Sequence, residues 1–144
     1  LSEEVLTDLA PLAEHKDIVL NCSGGALIIG SDTLLYRLVF NLVENAIRYS
    51  RPGSTVNVSI CDNNSHVFLR VEDQGSGIPK QYRESIFQPF FRLDKSRSRA
   101  YGGAGLGLAL VWEIAALHGG TVEVEASSKN GTTMLATLPK RTAA

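Results

Sequence analysis

The sequence predicts an α+β two-layer sandwich, on three observations. Two long stretches carry apolar residues at helical spacing, two pairs of alternating segments are each joined across a polar turn, and these elements are grouped rather than strictly alternated. At 144 residues, 44% apolar and 20% charged, the chain has the size for one domain with a real core and is read as a single domain over 1–144.

The elements follow in order. Val5, Leu6, Leu9, Leu12 and Ala13 predict an amphipathic helix over residues 3 to 14 with Ser2 as its cap. Ile18-Val19-Leu20 and Ala26-Leu27-Ile28-Ile29 predict two short strands around Gly24-Gly25. From Ser31 to Tyr49, Leu34, Leu35, Leu38, Val39, Leu42, Val43 and Ala46 recur every three or four residues, with Ser31 or Asp32 as the cap and Arg51-Pro52-Gly53 as the stop. Val56, Val58 and Ile60, then Val67, Leu69 and Val71, alternate with polar residues on either side of Asp62-Asn63-Asn64-Ser65, a hairpin. A weak helical turn is expected at 79 to 87, and an aperiodic basic stretch runs from Phe90 to Gly103. A helix from Ala104 to His118 ends at Gly119-Gly120, and residues 121–126 and 132–138 close the chain as an antiparallel pair across Asn130-Gly131.

Bulk properties narrow the function by exclusion. A net charge of −1 gives no general attraction to nucleic acid or to anionic lipid. Cys22 and Cys61 have no spacing that makes a zinc site, and the apolar runs fall short of the roughly 20 residues a membrane span needs. The chain opens on Leu1 and holds one methionine, Met134, so it is expected to be part of a longer polypeptide.

Three clusters carry chemistry. Asn41, Glu44, Asn45 and Arg48 fall at i, i+3, i+4 and i+7 on the long helix and form one stripe. A solvated face is the plain alternative, but Asn is a poor helix former, whereas its amide oxygen is a suitable hard ligand for Mg²⁺ and Arg48 suits a phosphate. Asp73-Gln74-Gly75-Ser76-Gly77-Ile78 follows a strand. It reads either as an ordinary turn or as a loop whose glycines admit a flat ligand while Asp73 accepts from an adenine amine. Gly102-Gly103-Ala104-Gly105-Leu106-Gly107-Leu108 opens a helix without matching a Rossmann or P-loop pattern. It is either a flexible linker or a glycine loop presenting free N–H groups to a polyphosphate.

Taken in order, these clusters resemble the GHKL superfamily of ATP-binding domains, and within it the catalytic and ATP-binding domain of sensor histidine kinases. Residues 41–50, Asn-Leu-Val-Glu-Asn-Ala-Ile-Arg-Tyr-Ser, are similar to its N box, and Asp73 to Ile78 to its first glycine box. Phe87-Gln88-Pro89-Phe90-Phe91-Arg92 is similar to its F box, Gly103 to Leu108 to its second glycine box, and Gly131-Thr132-Thr133 to its last glycine motif. The resemblance implies a Bergerat fold, a mixed and mostly antiparallel sheet covered by helices on one face, with a mobile ATP lid at about 90–104. It implies that Asn45, with Asn41, coordinates Mg²⁺, that Arg48 contacts phosphate where Lys is commoner, and that Tyr49 lies against adenine. Asp73 would accept from the adenine amine, with Gly75 and Gly77 making room, and Ile78 and Thr132 would be among the residues that bind the nucleotide. Gly103, Ala104, Gly105, Leu106, Gly107 and Leu108 would meet the phosphates. Phe87, Phe90 and Phe91 are read equally as anchors of the lid or as core aromatics, and Arg92 or Arg97 would neutralise charge on the γ-phosphate.

The superfamily also holds ATPases in which a Glu four residues before the metal-binding Asn activates water. That position here is Asn41, so phosphoryl transfer to an external histidine fits better than hydrolysis, with Glu44 remaining as a candidate base. His15, His66 and His118 lack the family's phosphoacceptor pattern, and His118 is read as a helix cap. The chain is expected to be a cytoplasmic, monomeric catalytic fragment. Its partners would be its own dimerisation and phosphoacceptor domain, preceding Leu1, and a downstream response regulator, with no nucleic acid and a membrane only through other parts of the parent. An ATPase, an anti-sigma-type serine kinase and a non-catalytic nucleotide scaffold stand as alternatives.

Overall fold

The computed structural model describes residues 1–91 and 107–140. The first apolar pattern becomes α1, Ser2–His15, which buries Val5, Leu9 and Ala13 on one face. Ser2, expected as its cap, is instead buried in the first turn, and Leu1 takes the cap position without a side-chain hydrogen bond.

Of the two strands expected around Gly24-Gly25, only β1 (Val19–Gly24) forms. It pairs in parallel with β2 (Thr55–Asp62), Val19 opposite Thr55 and Cys22 opposite Val58. A parallel pair needs a crossover rather than a hairpin, so the chain must leave the sheet after Gly24. Ala26–Ile29 is therefore a connection, with Leu27 89% exposed and Ile29 held by one backbone bond to Lys140 O at 2.9 Å.

The crossover is α2, Asp32–Tyr49. Ser31 is its cap, the hydroxyl accepting from Leu34 N at 3.2 Å. Leu35, Leu38, Val39, Leu42, Val43 and Ala46 are buried as the spacing predicts, Ile47 joins them, and Leu34, expected in the same stripe, is only half-buried. β2 then turns back into β3 (His66–Asp73). Asn63 Oδ1 shapes that turn, accepting from Ser65 N at 2.9 Å and His66 N at 2.8 Å. Two short 3₁₀ turns, Lys80–Tyr82 and Ser85–Phe87, stand where one helical turn is expected. α3 (Gly107–Leu117) leads into β4 (Thr121–Ser128) and β5 (Gly131–Pro139).

The strands order as β1-β2-β3-β5-β4, with β1–β2 parallel and the other pairs antiparallel. This is the mixed, mostly antiparallel sheet that the family resemblance implies. Its inner face, carrying Val56, Val58, Leu69, Val71, Val122 and Ala136, packs on α2 and α3 with Leu38, Leu42, Ile47, Val111 and Ile114. Each Val, Leu and Ile among these contributes about 1.5–3 kcal/mol of burial, which is what holds the two layers together.

His118 does more than cap α3. Its ring is buried, and because a backbone N–H must donate, Ser31 N at 3.2 Å fixes Nε2 as the acceptor. Nδ1 then carries the proton and donates to Ile114 O at 2.8 Å. The end of α3 is thereby tied to the start of α2, and Gly30 lies so close that a Cβ there would stand 2.7 Å from the ring.

Candidate functional site

α2 acts as a ruler for the site. At its end, Ser50 bridges to Gly75, and a Cβ on Gly75 would fall 2.3 Å from Tyr49 O, so the glycine loop presses directly on the helix terminus. Further back, a Cβ on Gly107 would lie 3.2 Å from Asn41 Oδ1, which places the start of the described part of α3 beside Asn41. From Asn41 to Ser50 the helix rises about 14 Å. Asn45, Arg48 and Tyr49 lie between these two contacts.

A cavity of about 870 Å³ opens along this ruler. Asn45, Arg48, Tyr49, Asp73, Gly75, Gly77, Ile78, Leu108 and Thr132 all line it. Tyr49 is 49% exposed. Asn41, Glu44 and Phe87 are not among its lining residues. The Asn41 amide donates to Arg37 O at 2.7 Å, and Glu44 stands 3.7 Å from the Arg48 guanidinium. Phe87 is buried against Trp112, ring centroids 5.4 Å apart, while Phe91 lines the cavity and packs on Tyr82 and Phe90 is 69% exposed. Arg92, Arg97, Gly103, Ala104, Gly105 and Leu106, with most of the expected lid, lie outside the described residues.

The floor of the cavity is built around Asp73, 7% exposed at the end of β3. Its Oδ1 accepts from Gly75 N at 3.0 Å and Thr132 N at 3.1 Å. Burial pushes its carboxyl above the ordinary value, and the two N–H donors pull the other way. Both of these bonds fall on Oδ1, which leaves Oδ2 as the acceptor for a ligand in the cavity. Beside it, Ser50 is 2% exposed, and its hydroxyl has no partner among the described residues. A buried hydroxyl facing a cavity in this way is a site for a ligand atom or a bridging water.

Residues beyond those expected complete the walls. Lys16, from the end of α1, donates to Ile47 O at 3.1 Å and to Arg48 O, capping the last turn of α2. Burial, and then the Arg48 cation, lower its pKa. Ser127 reaches the site through a β-bulge. Val124 pairs with Met134, but Ala126 pairs with Thr133 and Ser127 with Thr132, so the extra residue reverses the alternation. Ser127 Oγ is thereby set 2.8 Å from Thr132 Oγ1 and 2.8 Å from Ile78 N. Strict alternation continues Val122 and Val124 into Ala126, so the pattern carries no sign of this exchange. The contacts of Lys16 and Ser50 are equally long-range and leave no local signature.

The donor chemistry fits a nucleotide. A flat, glycine-floored region with one buried acceptor suits a purine carrying an amine, and the amide and guanidinium on successive turns of α2 suit polyphosphate. Among the described residues no group of three or more His, Cys, Asp or Glu is placed to hold a metal. A cation shared between Asn45 and phosphate oxygens is the form of binding that Mg²⁺ favours, so the residues present fit it.

Comparison with known proteins agrees with this chemistry. A family model described as histidine kinase-, DNA gyrase B-, and HSP90-like ATPase matches residues 30–142. The sensor-like histidine kinase SenX3 of Mycobacterium tuberculosis (strain ATCC 25618 / H37Rv) is 45% identical over 129 residues, 88% of this chain and 32% of that protein. The sensor histidine kinase WalK of Bacillus subtilis (strain 168) is 36% identical over 129 residues, 88% of this chain and 21% of that protein. This chain thus spans about a third or less of the curated relatives named. Among solved structures, the mycobacterial sensor histidine kinase MprB matches at a TM-score of 0.80 and 33% identity, over 98% of this chain and 95% of that one. Full-length ShkA in complex with AMPPNP matches at 0.84 and 27%, over 99% of this chain and 30% of that one.

Proposed function

The chain belongs to the histidine kinase-, DNA gyrase B-, and HSP90-like ATPase family, and we propose that it is the catalytic domain of a sensor histidine kinase, donating the γ-phosphoryl group of Mg-ATP to a histidine on a separate phosphoacceptor domain. The observation that carries this is the single cavity that joins a buried carboxylate, Asp73, to Asn45 and Arg48 along one helix.

In this reading Asp73 Oδ2 accepts from the adenine amine, Tyr49 lies against the ring, and Gly75 and Gly77 admit its edge. Asn45, assisted by Asn41, holds Mg²⁺, which supplies charge neutralisation at the phosphates when bound. Arg48 meets phosphate, and Arg92 or Arg97 would neutralise the γ-phosphoryl group in flight. The bond between the γ-phosphorus and the β,γ-bridging oxygen breaks, a bond to the histidine nitrogen forms, and ADP leaves. Glu44, on the same helix stripe, would take up the imidazole proton.

The residue choice at Asn41 favours transfer over hydrolysis, because the position that would hold a water-activating carboxylate holds an amide. The phosphoacceptor and dimerisation domain and a response regulator are the partners this activity requires, and a cytoplasmic site with its ATP supply is the compartment it needs. No helix among the described residues is long and apolar enough to cross a membrane. Incubating the chain with labelled ATP and a separately made phosphoacceptor domain tests the proposal. Acid-labile label on histidine supports it, whereas phosphate release without label points to an ATPase and overturns it.

A further inference from the structure

Arg83 lies between the two 3₁₀ turns, and its side chain lines the cavity. Nε donates to Ile78 O at 3.3 Å and Nη2 to Ser127 O at 3.0 Å, so one guanidinium joins the glycine loop to β4. The same two residues already meet directly through Ile78 N and Ser127 Oγ. Ser127 Oγ continues to Thr132 Oγ1, and Thr132 N to Asp73 Oδ1, so a short relay of hydrogen bonds running through two residues, Ser127 and Thr132, links Arg83 to the buried carboxylate. The loop is seated tightly against the strand at this point. Gly77 takes φ +87°, and a Cβ on it would stand 2.1 Å from Ser128 O.

We propose that Arg83 is a positioning residue for the base of the nucleotide: it sets the spacing between Ile78 and β4, and with it the width of the slot over Asp73. The inference rests on placing the base at the Asp73 end of the cavity. A planar fork is needed for this task, because two carbonyls on different segments must be held at fixed separation by one side chain, and a lysine ammonium on its flexible stem does not impose that geometry. Without the fork, Ile78 O and Ser127 O lose a charge-assisted donor and the slot widens. The phosphate-facing residues sit on α2, with which Arg83 forms no hydrogen bond among the described residues, so their share of affinity stays intact.

The consequence is a selective loss in base recognition, measured with Arg83→Lys, Arg83→Met and Asp73→Asn chains by displacement of a fluorescent ATP analogue with ATP and with GTP. Arg83→Lys and Arg83→Met are expected to weaken ATP about fivefold while leaving GTP within twofold, narrowing the preference between the bases. A fall of ATP and GTP in step, or an unchanged ratio in Arg83→Lys, overturns the inference. Arg83→Lys decides the matter if thermal melting shows Arg83→Met unfolded. Asp73→Asn separates the two readings: if it also leaves the ratio unchanged, the base does not lie at Asp73 and the underlying assignment fails. If only the Arg83 variants leave it unchanged, the role of Arg83 alone fails.

Discussion

The two ends of the cavity are built differently. At the Asp73 end, where the proposed function puts the base, backbone is pressed on backbone: Gly75 against Tyr49 O, Gly77 against Ser128 O, and Gly131, at φ +148°, with a hypothetical Cβ 2.1 Å from Asp73 O. At the other end, which the proposed function gives to the phosphates, Asn45 and Arg48 are half-buried side chains on a helix that packs through its adjacent face. The base end therefore shares its atoms with the fold, whereas the phosphate end is laid upon it. Substitutions should separate stability from chemistry along the same line.

Gly75→Ala should have the largest effect. The added Cβ meets helix backbone that cannot yield without opening the Ser50–Gly75 bridge, so a loss of about 3 kcal/mol is expected, together with nucleotide binding. A melting temperature within a degree or so of the parent would break the contrast. Asn45→Ala should behave oppositely. Thermal melting stays within about 0.5 kcal/mol of the parent, as for an ordinary surface change, while phosphoryl transfer falls about a hundredfold. Labelling that survives this change would remove Asn45 from the metal site.

Asp73→Asn sharpens the comparison through pH. The carboxyl is held above its ordinary 3.8 chiefly by burial, so between 3.8 and the raised value the folded chain keeps a proton that the unfolded chain releases. Stability contributed by this group therefore falls as pH rises through that window. The amide retains an acceptor for Gly75 and Thr132 and does not titrate, so the variant should gain in melting temperature on the parent as pH rises above 3.8, yet bind ATP about tenfold more weakly at neutral pH. A melting difference independent of pH would show that Asp73 is not strained by burial.

The smallest effect is expected away from both ends. Arg70 grips Glu125 on the outer face of the sheet at 2.8 and 3.0 Å, and both side chains are about a third exposed. Arg70→Ala should cost no more than about 1 kcal/mol and leave ATP affinity unchanged. A change in affinity would mean that the bulge at Glu125, which turns Ser127 toward Thr132, depends on that ion pair.

Much of this molecule was legible in local pattern. The apolar spacing of α2 places Leu35 to Ile47 inward, and that alone turns Asn45 and Arg48 toward the cavity, because the helical period leaves them on the adjacent face. The alternation in β2 and β3 brings Asp73 to the inward side at the end of its strand. Ala26–Ile29 misled for an equally physical reason: its residues favour a strand, but parallel pairing of β1 with β2 demanded a crossover.

What the sequence by itself determined, then, is most of the helices and strands and the residue types offered to the ligand, since these follow from periods of two and 3.6 and from side-chain chemistry within a few positions. Only the tertiary structure decided that Ser127 rather than Ala126 faces Thr132, that Lys16 caps α2, that Arg83 spans Ile78 and β4, and that the Ser50 hydroxyl lies buried without a partner among the described residues. Each of these depends on a register shift or on contacts between segments far apart in the chain. Such contacts arise from how whole layers pack, and no local stretch of residues encodes them.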